Sequence, residues 1–155
     1  TYSAKKELGG GVILDLIHEI DYAYWFFDKP KKVKSINGKI SKLEINSEDF
    51  AEIIFKNKNK IHGNIHLDYY RIKAKREIEI LTQNFIIAAD LLNGELQIIY
   101  DNKTVEYNYD FERNYMYKKQ LKYFLNCVKN NKNTFNDIKE GYEVLKIALN
   151  AKGVK

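Results

Sequence analysis

The stretch from residue 9 to 27, GGGVILDLIHEIDYAYWFF, constrains this chain more than any other. Three glycines open it and an apolar run follows. Within that run four ionisable groups, Asp15, His18, Glu19 and Asp21, fall inside seven residues. Val12, Leu16, Ile20 and Tyr24 recur at helical spacing, and Ile13 and Ile17 widen the stripe. Residues 11–27 are therefore expected to form one amphipathic helix. Pro30 closes it, because proline cannot continue a helix and pushes Lys29 towards extended backbone.

After Pro30 the period changes from helical to alternating. KKVKSINGKIS (31–41) sets Val33, Ser35 and Asn37 against Lys34 and Ile36. EDFAEIIFKN (48–57) puts Ala51, Ile53 and Phe55 on one side. KIHGNIHLDYY (60–70) is the clearest strand, with Ile61, Gly63, Ile65, Leu67 and Tyr69 on the core face. His62, Asn64, His66, Asp68 and Tyr70 lie on the other. REIEILT (76–82) and FIIAADL (85–91) follow, then a hairpin of ELQIIY and TVEYNY around Asp101-Asn102-Lys103. Two helices end the chain: one from Tyr117 with a Leu121, Phe124, Leu125, Val128 stripe, the other behind a capping box of Asp137 and Glu140. Sequential strands on short turns mean antiparallel pairing. The expected class is α+β: a mainly antiparallel open sheet with helices packed on one face.

Length and composition agree with one domain over residues 1–155. The chain is 45% hydrophobic and 14% aromatic, enough for a real core. No apolar run is long enough for a membrane span, and TYSAKKELGGG carries no hydrophobic leader, so a cytoplasmic setting is expected. Cys127 is the single cysteine, which excludes an internal disulfide and any CxxC metal site. The formal net charge is +5, but the lysines are dispersed and arginine occurs only at positions 71, 76 and 113. No clustered basic face with stacking aromatics is evident, so nucleic acid is not an expected partner.

Asp15, His18 and Asp21 stand at i, i+3 and i+6, on one side of a helix. A carboxylate beside an imidazole raises its pKa and fixes its tautomer, and such a pair can move a proton at a substrate hydroxyl. Glycines without a Cβ admit close approach, so a substrate or cofactor could lie over Gly10 and Gly11 at the helix start. One helix face rarely converges three ligands, so no metal is expected there. The glycines lack a preceding strand and the GxGxxG spacing of a dinucleotide loop. His66, beside Asp68 on the polar strand face, is a candidate for substrate contact or an interface.

YSAKKELGGGVILDLIHEIDYAYWFF resembles the start of the first long helix in the C-terminal domain of Gfo/Idh/MocA oxidoreductases. EDFAEIIFKNKNKIHGNIHLDYY is similar to that family's central strand pair, and the last two helical segments to its closing helices. The wording of HEIDY and HLDYY is most similar to members of surface-polysaccharide and sialic-acid-like sugar pathways. The resemblance implies a fold like the C-terminal domains of dihydrodipicolinate reductase and glyceraldehyde-3-phosphate dehydrogenase. It implies an NAD(P)-dependent enzyme acting on a sugar, inositol or nucleotide-sugar. NAD or NADP would be bound by a Rossmann domain N-terminal to this region, so the chain reads as truncated on that side and inactive alone. His18 would be the catalytic acid/base and Asp15 its orienting partner. Tyr2, Ser3 and Lys6 would touch substrate with Gly10, Gly11 and His66, and the open sheet face would build a homo-oligomer. One departure stands out: many members place the acid four residues before the histidine, and here the gap is three. The family's catalytic Glu-Lys-Pro lysine would belong to the N-terminal Rossmann domain, and the lone Pro30, preceded by Asp28-Lys29, is not that motif. A non-catalytic sugar-binding or oligomerisation module of the same fold is the alternative.

Overall fold

A computed structural model describes residues 1–110 and 112–154. Two 3-10 turns, Tyr2–Ala4 and Lys6–Leu8, precede the glycines. Then come α1 (Val12–Asp15), α2 (Ile17–Phe27), β1 (Pro30–Gly38), β2 (Phe50–Asn57) and β3 (His62–Asp68). After these follow β4 (Glu77–Leu81), β5 (Ile86–Asp90), β6 (Glu95–Tyr100), β7 (Lys103–Asn108), α3 (Arg113–Lys129) and α4 (Ile138–Lys152). The class is α+β with antiparallel pairing throughout, and the strands divide into a β1-β2-β3 sheet and a β4-β5-β6-β7 sheet. The chain forms two compact units, Thr1–Tyr70 with Phe135–Lys155, and Arg71–Thr134.

The first unit holds the core. Alternation sends Ala51, Ile53 and Phe55 of β2 and Leu67 of β3 inward, where Val12, Ile13 and Ile20 of the opening helices meet them. Val144, Ala148 and Ala151 of α4 complete the cluster, and α4 packs along α2 and β1. Full burial of each of Ile13, Ile20 and Ile53 stabilises the unit by about 1.5–3 kcal/mol. Asp137 caps α4 by accepting from the Lys139 and Glu140 backbone N–H groups at 2.8 and 3.0 Å. The loop from β1 to β2 is tied to Asp49, which is fully buried. Its carboxylate accepts from Ile40 N–H, Ser41 N–H and the Ser41 hydroxyl. Burial alone would raise its pKa, but these donors overcome that and hold it below the usual range.

The single helix expected over residues 11–27 is broken. Leu16 adopts φ −103°, ψ 30°, and Glu19 N–H bonds back only three residues, to the Leu16 carbonyl. α1 therefore ends and α2 begins between Asp15 and His18.

In the second unit, β4 to β7 run as a meander, and Asp101-Asn102 turns β6 into β7 as expected. α3 starts at Arg113, earlier than the expected Tyr117. Its stripe of Leu121, Phe124, Leu125 and Val128 is more than half exposed at every position, while Cys127 is buried.

Candidate active site

The glycine turn is held by the chain itself. Gly10 N–H bonds the Lys5 carbonyl at 2.9 Å, and Gly11 N–H bonds the Ser3 carbonyl at 3.0 Å. A Cβ on Gly10 would fall inside contact distance of the Tyr2, Ser3 and Lys5 carbonyl oxygens. Gly11 has φ +118°, and a Cβ there would enter the Glu48 carboxylate. Close approach was expected at these glycines, and it is made by the protein's own backbone and Glu48. Both are buried, so neither offers the substrate-binding surface expected of it. A dinucleotide phosphate cradle does not fit here either. α1 has four residues, and its first N–H, on Val12, is taken by the Glu48 carbonyl at 2.9 Å.

Behind the turn lies a buried ion pair. Lys152, near the end of α4, donates to both Glu48 oxygens at 2.5 and 2.6 Å and to the Gly10 carbonyl at 2.7 Å. The side chains are 9% and 8% exposed. A single ammonium thus fastens the C-terminal helix, the residue preceding Asp49 and the glycine turn together.

Asp15 lies half-buried at the end of α1. Its Oδ1 accepts from the Tyr2 hydroxyl at 2.8 Å and the Ser3 hydroxyl at 3.2 Å. Tyr69, just past β3, adds a third hydroxyl to the neighbourhood. That hydroxyl is buried without a well-formed hydrogen bond. Burial first, and the adjacent Asp15 carboxylate next, hold its phenol above the ordinary range.

The Asp15–His18 pair expected from spacing does not form. The break at Leu16 separates the two residues, and the His18 Nε2 instead lies 3.1 Å from Glu19 Oε1. The His18 side chain is 48% exposed, so its imidazole is open to an incoming molecule. Tyr2 and Ser3 do gather at Asp15. Lys6 does not join them: it is exposed, and its backbone N–H bonds Asn46 Oδ1 at 2.7 Å. Among the described residues no group of three or more His, Cys, Asp or Glu side chains could hold a metal.

His66 belongs to the other side of the sheet. Strand alternation turns Leu67 and Tyr69 towards the core and His66 away from it. His66, a candidate for substrate contact or an interface, thus lies on the face of the sheet turned away from the core. Its Nδ1 is 2.5 Å from Glu52 Oε1 and its Nε2 is 2.9 Å from Asp68 Oδ2. The Glu52 contact is the main cause of a raised imidazole pKa. Partial burial opposes the rise and Asp68 adds to it.

Four functional-looking residues escaped the sequence reading. Tyr69 was legible only as a core-facing strand residue. Glu19 follows His18 directly, and adjacent helical residues do not ordinarily face each other. Glu48 and Lys152 are 104 positions apart, and no local pattern links them.

A family model described as the GFO/IDH/MocA C-terminal domain matches residues 2–87. No curated protein sequence matches the chain. Among solved structures, UDP-N-acetylglucosamine 3-dehydrogenase GnnA from Acidithiobacillus ferrooxidans is similar at TM-score 0.82 and 21% identity, over 92% of this chain and 46% of that one. GenD2 from gentamicin A biosynthesis, in complex with NAD, gives 0.80 and 16%, over 99% and 48%. A structure from Thermotoga maritima described as an oxidoreductase gives 0.78 and 18%, over 97% and 46%. Identities this low establish likeness of fold, and the chain spans about half the length of each of these proteins. With more than half of its residues matched by the family model, the chain belongs to the GFO/IDH/MocA C-terminal domain family.

Proposed function

We propose that residues 1–155 form the substrate-side, C-terminal domain of an NAD(P)-dependent oxidoreductase acting on a sugar, inositol or nucleotide-sugar. The observation that carries this reading is His18: an exposed imidazole beside a carboxylate, three residues beyond an anchored Asp15, in a domain of this family. His18 takes the proton from a carbinol oxygen on oxidation, or returns it on reduction. Asp15 shapes the wall beside it, holding Tyr2 and Ser3 as hydroxyl-bearing contacts. NAD or NADP is bound outside this chain's residues, because the glycine turn is filled, so the isolated chain turns over no NADH. GnnA, named a UDP-N-acetylglucosamine 3-dehydrogenase and of the same fold, supports the substrate class, and GenD2, in complex with NAD, supports the cofactor. The domain self-associates through an open sheet face and works in the cytoplasm. No described helix is long and apolar enough to cross a membrane, which fits that placement.

The test is a pH–rate profile of the protein joined to its dinucleotide-binding domain, comparing wild type with His18→Gln. A proton-transfer role predicts a fall in kcat of about 10²–10⁴-fold and loss of one limb of the profile. Unchanged kcat would remove His18 from the chemistry.

A second reading draws on one observation. Asp15 is engaged by Tyr2 and Ser3 and not by His18, which suits a non-catalytic sugar-binding or oligomerisation module. That module would bind the same sugars with equal affinity after His18→Gln and would show no turnover in either form.

A further inference from the structure

The break at Leu16 gives the His18 imidazole a different carboxylate from the one that helical spacing offers it. α2 starts at Ile17, so His18 and Glu19 are the second and third residues of a helix of 11 residues. A carboxylate is stabilised in the first turn of a helix, and a cation is disfavoured there. The Glu19 carboxylate therefore suits its position, and a positive imidazole without a partner would not. His18 Nε2 lies 3.1 Å from Glu19 Oε1, and the Glu19 side chain is 19% exposed. Asp15 is occupied elsewhere, since its Oδ1 accepts from the Tyr2 and Ser3 hydroxyls. The second ring nitrogen of His18, Nδ1, has no hydrogen-bond partner among the described residues.

In a neutral imidazole one nitrogen carries the proton and the other a lone pair, and the partner of each decides which is which. An ionised carboxylate only accepts. The nitrogen facing Glu19 is then the N–H, and Nδ1 keeps the lone pair. We infer that Glu19, and not Asp15, is the positioning residue for His18, holding its Nε2–H tautomer so that Nδ1 is the atom that takes the substrate proton. The inference rests on the His18 reading above and names its reacting atom and its partner. On oxidation the carbinol O–H proton goes to Nδ1, the hydride on the same carbon goes to the nicotinamide, and the C–O bond becomes a carbonyl. The imidazolium so formed holds its new charge beside Glu19, which offsets the opposition of the helix start.

Kinetics are read on the protein joined to its dinucleotide-binding domain, with circular dichroism to confirm folding. Glu19→Ala should lower kcat at least roughly tenfold with KM little changed, because the carboxylate supports a charge that appears only with proton transfer. Glu19→Asp keeps the charge and recovers part of the loss. Asp15→Asn disturbs the Tyr2 and Ser3 wall and acts more on KM than on kcat. Should Glu19→Ala fail to fold, Glu19→Gln removes the charge at nearly constant size and is read in the same way. The tautomer is measured without cofactor, from the ring-nitrogen NMR shifts of His18, assigned by their absence in His18→Gln. A single Nε2–H form is expected in wild type and a mixture in Glu19→Ala. A fully active His18→Gln would sink the His18 reading itself. With His18→Gln inactive, an unchanged kcat in Glu19→Ala, a larger kcat loss in Asp15→Asn, or a wild-type proton on Nδ1 would overturn the inference alone.

Discussion

The β1–β3 sheet carries an ion-paired cluster on each side, and the two obey different physics. On the helix side, Lys152 and Glu48 are nearly dry, and the ammonium also takes the Gly10 carbonyl. On the outer side, His66 and Glu52 are each 36% exposed, and Asp68, at 5%, is the one dry member of the cluster. Breaking one partner of a buried pair strands a charge in low dielectric, whereas an exposed pair falls back on water. The inner cluster should therefore set whether the glycine turn exists at all. The outer one should adjust only the pH response and the surface.

Substitutions at both sites sharpen that contrast. Lys152→Met leaves Glu48 buried and unpaired and should cost about 3–5 kcal/mol, a fall in Tm of roughly 10 °C by calorimetry. A loss below about 1 kcal/mol would mean that water reaches Glu48. Gly11→Ala comes next, at about 2–4 kcal/mol, because φ +118° strains any side chain and the methyl meets the Glu48 carboxylate. Denaturant melts of the two variants and their combination should be non-additive, since both disturb Glu48.

His66→Gln should cost less than about 1 kcal/mol. Its signature is the pH dependence. The folded pKa is raised above the ordinary 6.5, mainly by Glu52. The contribution is therefore complete below about pH 6.5 and is lost as pH rises through the folded value. Wild-type stability should decline over that window and the Gln variant should stay flatter. Equal slopes would show that His66 does not titrate as a doubly paired imidazolium. Tyr69→Phe is the smallest effect. Removing a buried hydroxyl without a well-formed bond should be neutral or stabilise by up to about 1 kcal/mol. A clear destabilisation would show that Tyr69 donates to Asp15 in solution.

Much of this was legible in the sequence because period and punctuation are local. Alternation at Ala51, Ile53 and Phe55, and at Ile65 and Leu67, gave the correct inner faces, and the Asp137 cap marked the start of α4. The same alternation put His66 on the face opposite Tyr69, as the structure has it. The kink at Leu16 was not legible, since VILDLIHEID holds no glycine or proline to mark a break. It decides which carboxylate meets the imidazole: Glu19 and not Asp15. The α3 stripe shows the converse limit. Helical spacing of Leu121, Phe124, Leu125 and Val128 correctly announces a helix, yet the side chains stay exposed. Periodicity names a face without naming what covers it.

The central claim is that His18 moves the proton at a sugar hydroxyl. The most direct measurement is single-turnover nicotinamide absorbance with nucleotide-sugar substrates. It should use the protein carrying its dinucleotide-binding domain, comparing wild type, His18→Gln and Tyr69→Phe. The account predicts turnover in wild type and Tyr69→Phe, and a rate at least roughly 10²-fold lower in His18→Gln with substrate affinity little changed. Equal rates in all three proteins, or NADH turnover by residues 1–155 alone, would contradict it.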